Sequence, residues 1–543
     1  PSNNHDLYSI EDLAQLVEEL KTVNPGAKVV VKVPVVPGLG TIAVGIAKAG
    51  ADVINISGFE GGTGAARAHA LKYAGLPAEL GLRAAHRALV LSGLRDRVEV
   101  WVDGGMKTAL DVIKMVALGA NRVGFGTMAM AAMGCTICRG CQLDTCHVGI
   151  ATQVETQEEA QAKGMKRFEP RELEKAVSHL TAFFSGMAAD LRAMLATLGI
   201  ERLQDAVGHT ELLAQIGGSD RLNLTELLEA IPAQALARQN VARVIRKPLN
   251  SLTRMVSSWV SEAALAGDER LVYRDGPVAS ADRALGTHLA GELSRRHADP
   301  RLRLQRVRLH FDSGSIPGNG LGAFNAEPVE ILVDGGAQDG VGKGSSSGKI
   351  TILKGLNDQG ARVDGSVGKS FAYGATGGTF IVQGNADSRF CIRLSGADVV
   401  LGGEVTRPLQ DDLGMLAARA NAKGFAFEYM TAGRVVVLGD PGPWICSGMT
   451  GGVVYLRLQP TMGLDDAALQ HRLARGANVR VHPLSERGVQ DVRELLGKYH
   501  AALTASEQAD GARRIAELLV DPAANFRMVL PAGQSPVDAE STE

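Results

Sequence analysis

The sequence predicts a mixed chain, α/β in its first part and all-β later. Three observations predict it. Up to residue 126, apolar strand-like runs alternate with amphipathic helical runs, the pattern of a parallel sheet covered by helices. Four of the six cysteines fall within twelve residues, Cys135 to Cys146, which does not make a disulfide framework in so large a chain. From about Gly314, short β-rich runs recur between glycines, and 65 of the 543 residues are glycine, against roughly 7% in ordinary proteins.

The first 150 residues justify the α/β reading element by element. Ser9-Ile-Glu-Asp12 has the form of a helix start, and Leu13, Leu16, Val17 and Leu20 follow at helical spacing until Asn24-Pro-Gly26 stops the helix. Val29–Val33 reads as a buried strand carrying Lys32, then come a helix over Thr41–Gly50 and a strand over Ala51–Ser57. A glycine-rich loop, Gly58–Gly64, leads to a helical region around Leu80–Leu91. Strand Val98–Val102 ends in Asp103-Gly104-Gly105, helix Ala109–Gly119 follows, and strand Arg122–Gly126 closes the series. The informative residues all lie at strand C-termini, the face where α/β barrels place their active sites. Glycines there (Gly58, Gly61, Gly62, Gly104, Gly105, Gly124, Gly126) let backbone N–H groups approach phosphate oxygens. Lys32 in a flavin site would stabilise the anionic reduced ring. Four strands precede the cysteines and a (β/α)8 barrel needs eight, so these residues read as the C-terminal half of a barrel whose other half is supplied in cis or in trans.

Cys135, Cys138, Cys141 and Cys146 follow C-x2-C-x2-C-x4-C. By spacing alone this suggests a cubane iron–sulfur cluster on the loop 134–149, with zinc the alternative, although two separated C-x2-C pairs are absent. Metal-binding cysteines imply a reducing compartment, hence the cytoplasm. A net charge of −2 gives no basic field for nucleic acid or an anionic membrane, and no apolar run is long enough to span a bilayer.

Residues 151–300 change in composition and read as a helical connector without chemistry, His179 and His209 included. In the glycine-rich part (301–465), GKITILKG from Gly348, GTFIVQG from Gly378, GRVVVLG from Gly433 and GVVYLRL from Gly452 match one another, as do the turns before them. Such a repeat predicts a β-solenoid, interrupted by an inserted helix over Leu409–Gly424. Gly344–Lys349 (GSSSGK) is not a phosphate loop, because a strand and not a helix follows. Cys391 and Cys446 read as buried thiols. Residues 466–543 read as a helical C-terminal extension.

DLYSIEDLAQLVEELKTVNP, VGIAKAGADVINISGFEGGTGAA and WVDGGMKTALDVIKMVALGANRVGFGTMAMAAMGC resemble the large subunit of glutamate synthase, in its FMN-binding synthase domain. The resemblance resumes in Ala281–Arg296 and across the glycine-rich half. It implies a (β/α)8 FMN barrel, a right-handed β-helix of GXGXG type, and reductive conversion of 2-oxoglutarate and glutamine-derived ammonia, through 2-iminoglutarate, to L-glutamate. It implies that Asp103, Gly104, Gly105, Gly124, Gly126 and Thr127 hold the FMN ribityl and phosphate, that Lys32 lies at the ring as the catalytic residue, and that Gly58, Gly61 and Gly62 line the ring face or substrate. It implies a [3Fe-4S] cluster on Cys135, Cys141 and Cys146. Cys138 is additional to the family pattern and leaves a [4Fe-4S] cluster open. Phe59 and Glu60 stand where the family has His and Asp. Electrons would come from an NADPH-dependent small subunit or ferredoxin, an oligomer is expected, and glutamine-dependent turnover is not expected of this chain without a glutaminase segment. Rival readings are another FMN barrel oxidoreductase of 2-oxo or 2-hydroxy acids, which generally lacks the cysteines and the solenoid, and a non-catalytic electron-transfer or assembly subunit.

Overall fold

The computed structural model describes residues 7–61, 75–232, 248–296 and 304–534. It divides into two compact units, one of residues 1–18 and 26–246 and one of residues 19–25 and 247–543. Among the described residues no helix is long and apolar enough to cross a membrane.

In the first unit, strands β1 (Val30–Pro34), β2 (Val53–Ser57), β3 (Glu99–Asp103) and β4 (Arg122–Gly124) form an open parallel sheet in that order. Helices Leu39–Lys48, Ala78–Leu91 and Ala109–Leu118 connect them. Each forms for the reason its sequence gives. Thr108 and Asp111 cap the last of these reciprocally, the Thr108 hydroxyl accepting from the Asp111 N–H and the Asp111 carboxylate from the Thr108 N–H, worth about 1 kcal/mol. Ile54, Ile56, Val100 and Val102 are fully buried beneath Leu39, Ile46, Leu82, Leu89 and Met115. The register matters most for function. Pro34 pairs with Ser57, Ser57 with Asp103 and Asp103 with Gly124, so four strand ends form one row. The 26-residue helix Leu173–Leu198 buries Met187 in a cluster with Val112 and Val116, so part of the connector is packed onto this sheet.

At the N-terminal ends of β3 and β4, buried Arg95 donates to His86 Nδ1 (3.0 Å), Val98 O (3.0 Å), Gly119 O (3.0 Å) and Asn121 Oδ1 (2.7 Å). Burial and the neighbouring Arg95 and Arg83 charges push His86 well below the ordinary histidine value, and its Nδ1 serves as an acceptor only while the ring is neutral. The unfolded chain therefore takes up a proton that the folded unit refuses. As pH falls below about 6.5, the stability of this unit is expected to drop by up to about 1.4 kcal/mol per pH unit. Urea midpoints between pH 8 and 5 should show this slope, and His86→Gln should flatten it.

In the second unit, strands β5 (Arg270–Asp275), β6 (Arg306–Ser315), β7 (Val329–Gly335), β8 (Lys349–Leu353), β11 (Thr379–Val382), β12 (Ser395–Leu401), β13 (Ala432–Val437) and β14 (Val453–Arg457) pair in parallel in that order. A small antiparallel pair, β9 (Gly355–Leu356) and β10 (Arg362–Val363), forms a separate sheet whose β9 packs against β6 and β7. Two further strands, β15 (Val479–Pro483) and β16 (Phe526–Pro531), close the large sheet antiparallel beside β14. The four matching glycine-bounded runs are strands β8, β11, β13 and β14. One row crosses them in register: Leu309, Ile331, Ile350, Phe380, Val399, Val435 and Val454. Each is at most 1% exposed, so this row is the apolar spine of the unit.

A second feature repeats between the strands. Gly320, Gly322 and Phe324, then Gly340, Gly342 and Gly344, Ser370, Ala372 and Gly374, Arg389, Cys391 and Arg393, Phe425, Phe427 and Tyr429, and Trp444, Cys446 and Gly448 all have positive φ. The middle residue of a triplet donates its N–H to the preceding repeat, as Ala372 does to Val341 O (2.8 Å) and Cys391 to Phe371 O (2.9 Å). The outer two donate to the following one, as Arg389 does to Gly424 O (2.9 Å) and Arg393 to Glu428 O (2.7 Å). A left-handed non-glycine residue costs about 1–2 kcal/mol, and these paired hydrogen bonds on both sides offset it.

The inserted helix expected over Leu409–Gly424 does not form. A single 3-10 turn, Asp411–Leu413, stands there, ended by Gly414 at φ 70. Asp411 there pairs with the buried guanidinium of Arg472, an interaction that local spacing does not announce. The predicted β-character after GSSSG holds, since Lys349 opens β8 while the Ser345 hydroxyl donates to Gly342 O at 2.9 Å. Cys391 and Cys446 are fully buried, and burial pushes both thiols up.

Candidate cofactor and cluster site

The row of strand ends opens into a cavity of about 880 Å³ in the first unit. Lys32, Gly61, Asp103, Gly104, Gly105, Gly124, Gly126 and Thr127 line it, and so do Cys135, Cys138, Cys141 and Cys146. The strand-end residues and the cysteines that the sequence marked thus line one space. Gly58 does not line the cavity. Its N–H donates to Asp103 O at 3.0 Å, and a Cβ there would press to 2.8 Å from Ala78 N. Gly62 lies outside the described residues.

Asp103 is the hub. Its Oδ2 accepts from Lys32 Nζ at 2.7 Å and from Asn55 Nδ2 at 3.3 Å. Lys32 and Asn55 are register partners on β1 and β2, which is why both reach the same carboxylate. Asp103 Oδ1 is buried with no hydrogen-bond partner. A buried acceptor left so costs about 1–3 kcal/mol, and a ligand hydroxyl at this wall would satisfy it. Gly104 (φ 118) and Gly105 (φ 76) turn the chain directly after it. A Cβ on Gly104 would lie 3.2 Å from the backbone nitrogens of both Gly58 and Gly61, so the two glycine turns bring backbone close together as a phosphate cradle requires. These residues fit FMN: an orphaned acceptor for the ribityl chain, an ammonium beside it, and a glycine cradle.

The cysteine loop is wound by left-handed residues, Ile137 (φ 56), Arg139 (φ 58) and Asp144 (φ 52). Ile137 N–H donates to Cys135 Sγ at 3.3 Å. Burial raises the Cys146 thiol, but the N–H groups of Ala151, Ile150 and Val148 and the Arg171 guanidinium outweigh it and hold it below the ordinary value. That environment favours thiolate. Arg171 also ties the loop, donating to Val148 O (3.2 Å) and to Met133 O. Among the described residues no three His, Cys, Asp or Glu side chains are gathered to hold one metal ion. The four thiols that line the cavity are a donor set of the kind iron–sulfur clusters use.

The sequence reading missed Asn55 and Arg171. Asn55 sits inside an apolar strand, and only strand register reveals its partner. Arg171 lies more than twenty residues beyond the loop it braces, and nothing in local spacing marks it.

Comparison with known proteins agrees with this geometry. Residues 1–201 match the family model described as a conserved region in glutamate synthase, and residues 254–408 and 414–532 match the GXGXG motif model. The NADPH glutamate synthase large chain of Bacillus subtilis is 34% identical over 517 residues, 94% of this chain and 31% of its own. The chloroplastic ferredoxin-dependent glutamate synthase 2 of Arabidopsis thaliana is 36% identical over 84% of this chain and 26% of its own. The NADH glutamate synthase of Schizosaccharomyces pombe is 36% identical over 84% and 20%. The chain thus spans about a third or less of the length of these relatives. With both family models matched in order along it, the chain belongs to the glutamate synthase family.

Proposed function

We propose that this chain is the synthase portion of a glutamate synthase, with residues 1–150 the C-terminal half of an FMN-binding (β/α)8 barrel, a connector from 151 to the end of the first unit, and a second unit built on a right-handed β-helix, whose sheet runs from β5 to β14 and continues into β16 and β15. The reaction is reduction of 2-oxoglutarate with ammonia to L-glutamate, with electrons from an NADPH-dependent partner or ferredoxin, as in relatives bearing those names. One observation supports this above the others: the Lys32–Asp103 pair, the glycine cradle and four cysteines line a single cavity.

FMN bound here supplies hydride transfer. The protein's part is positioning. Asp103, fixed by Lys32 and Asn55 through one oxygen, offers the other to a ribityl hydroxyl. Gly104, Gly105, Gly124 and Gly126 with Thr127 form the phosphate cradle, and Gly61 lies on the ring or substrate side. Lys32 keeps donors beyond the one on Asp103 and sets positive charge at the ring and the incoming carboxylates. Cys135, Cys141 and Cys146 hold an iron–sulfur cluster, three- or four-iron, against the same cavity. Six free cysteines support a reducing, cytoplasmic setting.

The test is ammonium-dependent glutamate formation from 2-oxoglutarate and a chemical reductant, by this chain supplied with the other half of the barrel from a relative. Lys32→Met is expected to lower the rate by about 10²-fold or more with FMN still bound. Absence of glutamate from protein that holds both FMN and iron would refute the proposal.

A further inference from the structure

We infer that Cys138 is a fourth cluster ligand, so that the loop holds a four-iron cubane on Cys135, Cys138, Cys141 and Cys146; the inference rests on the redox reading above. Cys138 lines the same cavity as the other three thiols and is itself exposed, whereas Cys146 is buried. The residues on either side, Ile137 and Arg139, are both left-handed. Left-handed non-glycine residues on both sides of one thiol cost backbone energy, and the thiol they flank lies on the cavity wall.

Competing donors are engaged elsewhere. His147, next to Cys146, has its Nε2 at 3.1 Å from the Thr136 hydroxyl. Asp144 accepts from Lys163 Nζ at 2.7 Å and from Gln153 N–H at 2.7 Å. Neither lines the cavity. A cluster held by Cys135, Cys141 and Cys146 would leave one corner open, and the thiol two residues from Gly140 and three from both Cys135 and Cys141 in sequence is the donor placed to take it. Spacing of C-x2-C-x2-C is that of a cubane-binding run.

The experiment compares the wild-type chain with Cys138→Ser and Cys138→Ala, each purified and reconstituted anaerobically with iron and sulfide. Iron-to-sulfide ratio, Mössbauer spectra and electron paramagnetic resonance are the readouts. Wild type is expected to hold equal iron and sulfide, with no resonance signal when oxidised and a signal on reduction. Both variants are expected to lose one iron in four and to show the signal of an oxidised three-iron cluster, with unchanged thermal unfolding because Cys138 is exposed. A three-iron centre in the wild type, or an unaltered four-iron centre in both variants, overturns this assignment alone. Zinc or no metal in the wild type overturns it together with the redox reading.

Discussion

Gly105→Ala is expected to weaken FMN binding by about 100-fold, roughly 2.7 kcal/mol, while the first unit stays folded. Gly105 has φ 76, where an alanine costs about 1–2 kcal/mol, a modest fraction of a domain's stability. A Cβ there would fall 1.5 Å from Glu60 Oε2, but that atom ends a flexible, exposed side chain and can swing aside. On the proposed reading the added methyl would fall in the phosphate cradle and hold phosphate oxygens away from the backbone N–H groups, and charge-assisted bonds of this kind contribute about 1.5–3 kcal/mol each. Fluorescence titration with FMN measures the loss. Riboflavin, which lacks the phosphate, should lose far less, and equal losses for both would show that the glycine serves the fold and not the phosphate.

Arg472→Met is expected to destabilise the second unit by about 3–5 kcal/mol. The Arg472 side chain is fully buried and forks onto Asp440, Nε and Nη2 donating to its two oxygens at 2.9 Å each. Nη2 also donates to Asp411 Oδ1 at 2.9 Å and Nη1 to Ala468 O at 3.1 Å. Asp440 is 1% exposed, so deleting the cation leaves a carboxylate in the interior. Asp440→Asn in the same chain should recover part of the loss, because it removes the stranded charge. Urea unfolding of the two single variants and the double variant measures the coupling.

How much was legible follows from where each signal lies. Strands β1 to β4 were readable because each is a short apolar run closed by a turn signal, and a parallel register then forces their ends into one row. The cysteines were readable because four in twelve residues have few other uses. Strands β6 and β7 were not. Val307, Leu309 and Phe311 are buried, but the residues between them are charged and paired across the sheet, Arg308 with Glu330 at 2.9 Å and His310 with Asp334 at 2.8 Å, so the run looks polar until its partner is known. The left-handed triplets were half legible. GLG and GVG announce positive φ, but in later repeats the same conformation is carried by Arg389, Cys391, Phe425 and Trp444, residue types that predict the opposite. At 409–424 a helical composition forms only a 3-10 turn, whose Asp411 pairs with Arg472 far along the chain.

The most direct test is to count FMN, iron and acid-labile sulfide in a single anaerobic preparation of this chain, supplied with the other half of the barrel from a relative. FMN together with iron and sulfide in that one sample is the expected result. Zinc in place of iron, or iron and sulfide in protein that retains no FMN when it is supplied, would contradict a shared flavin and cluster cavity at the ends of these four strands.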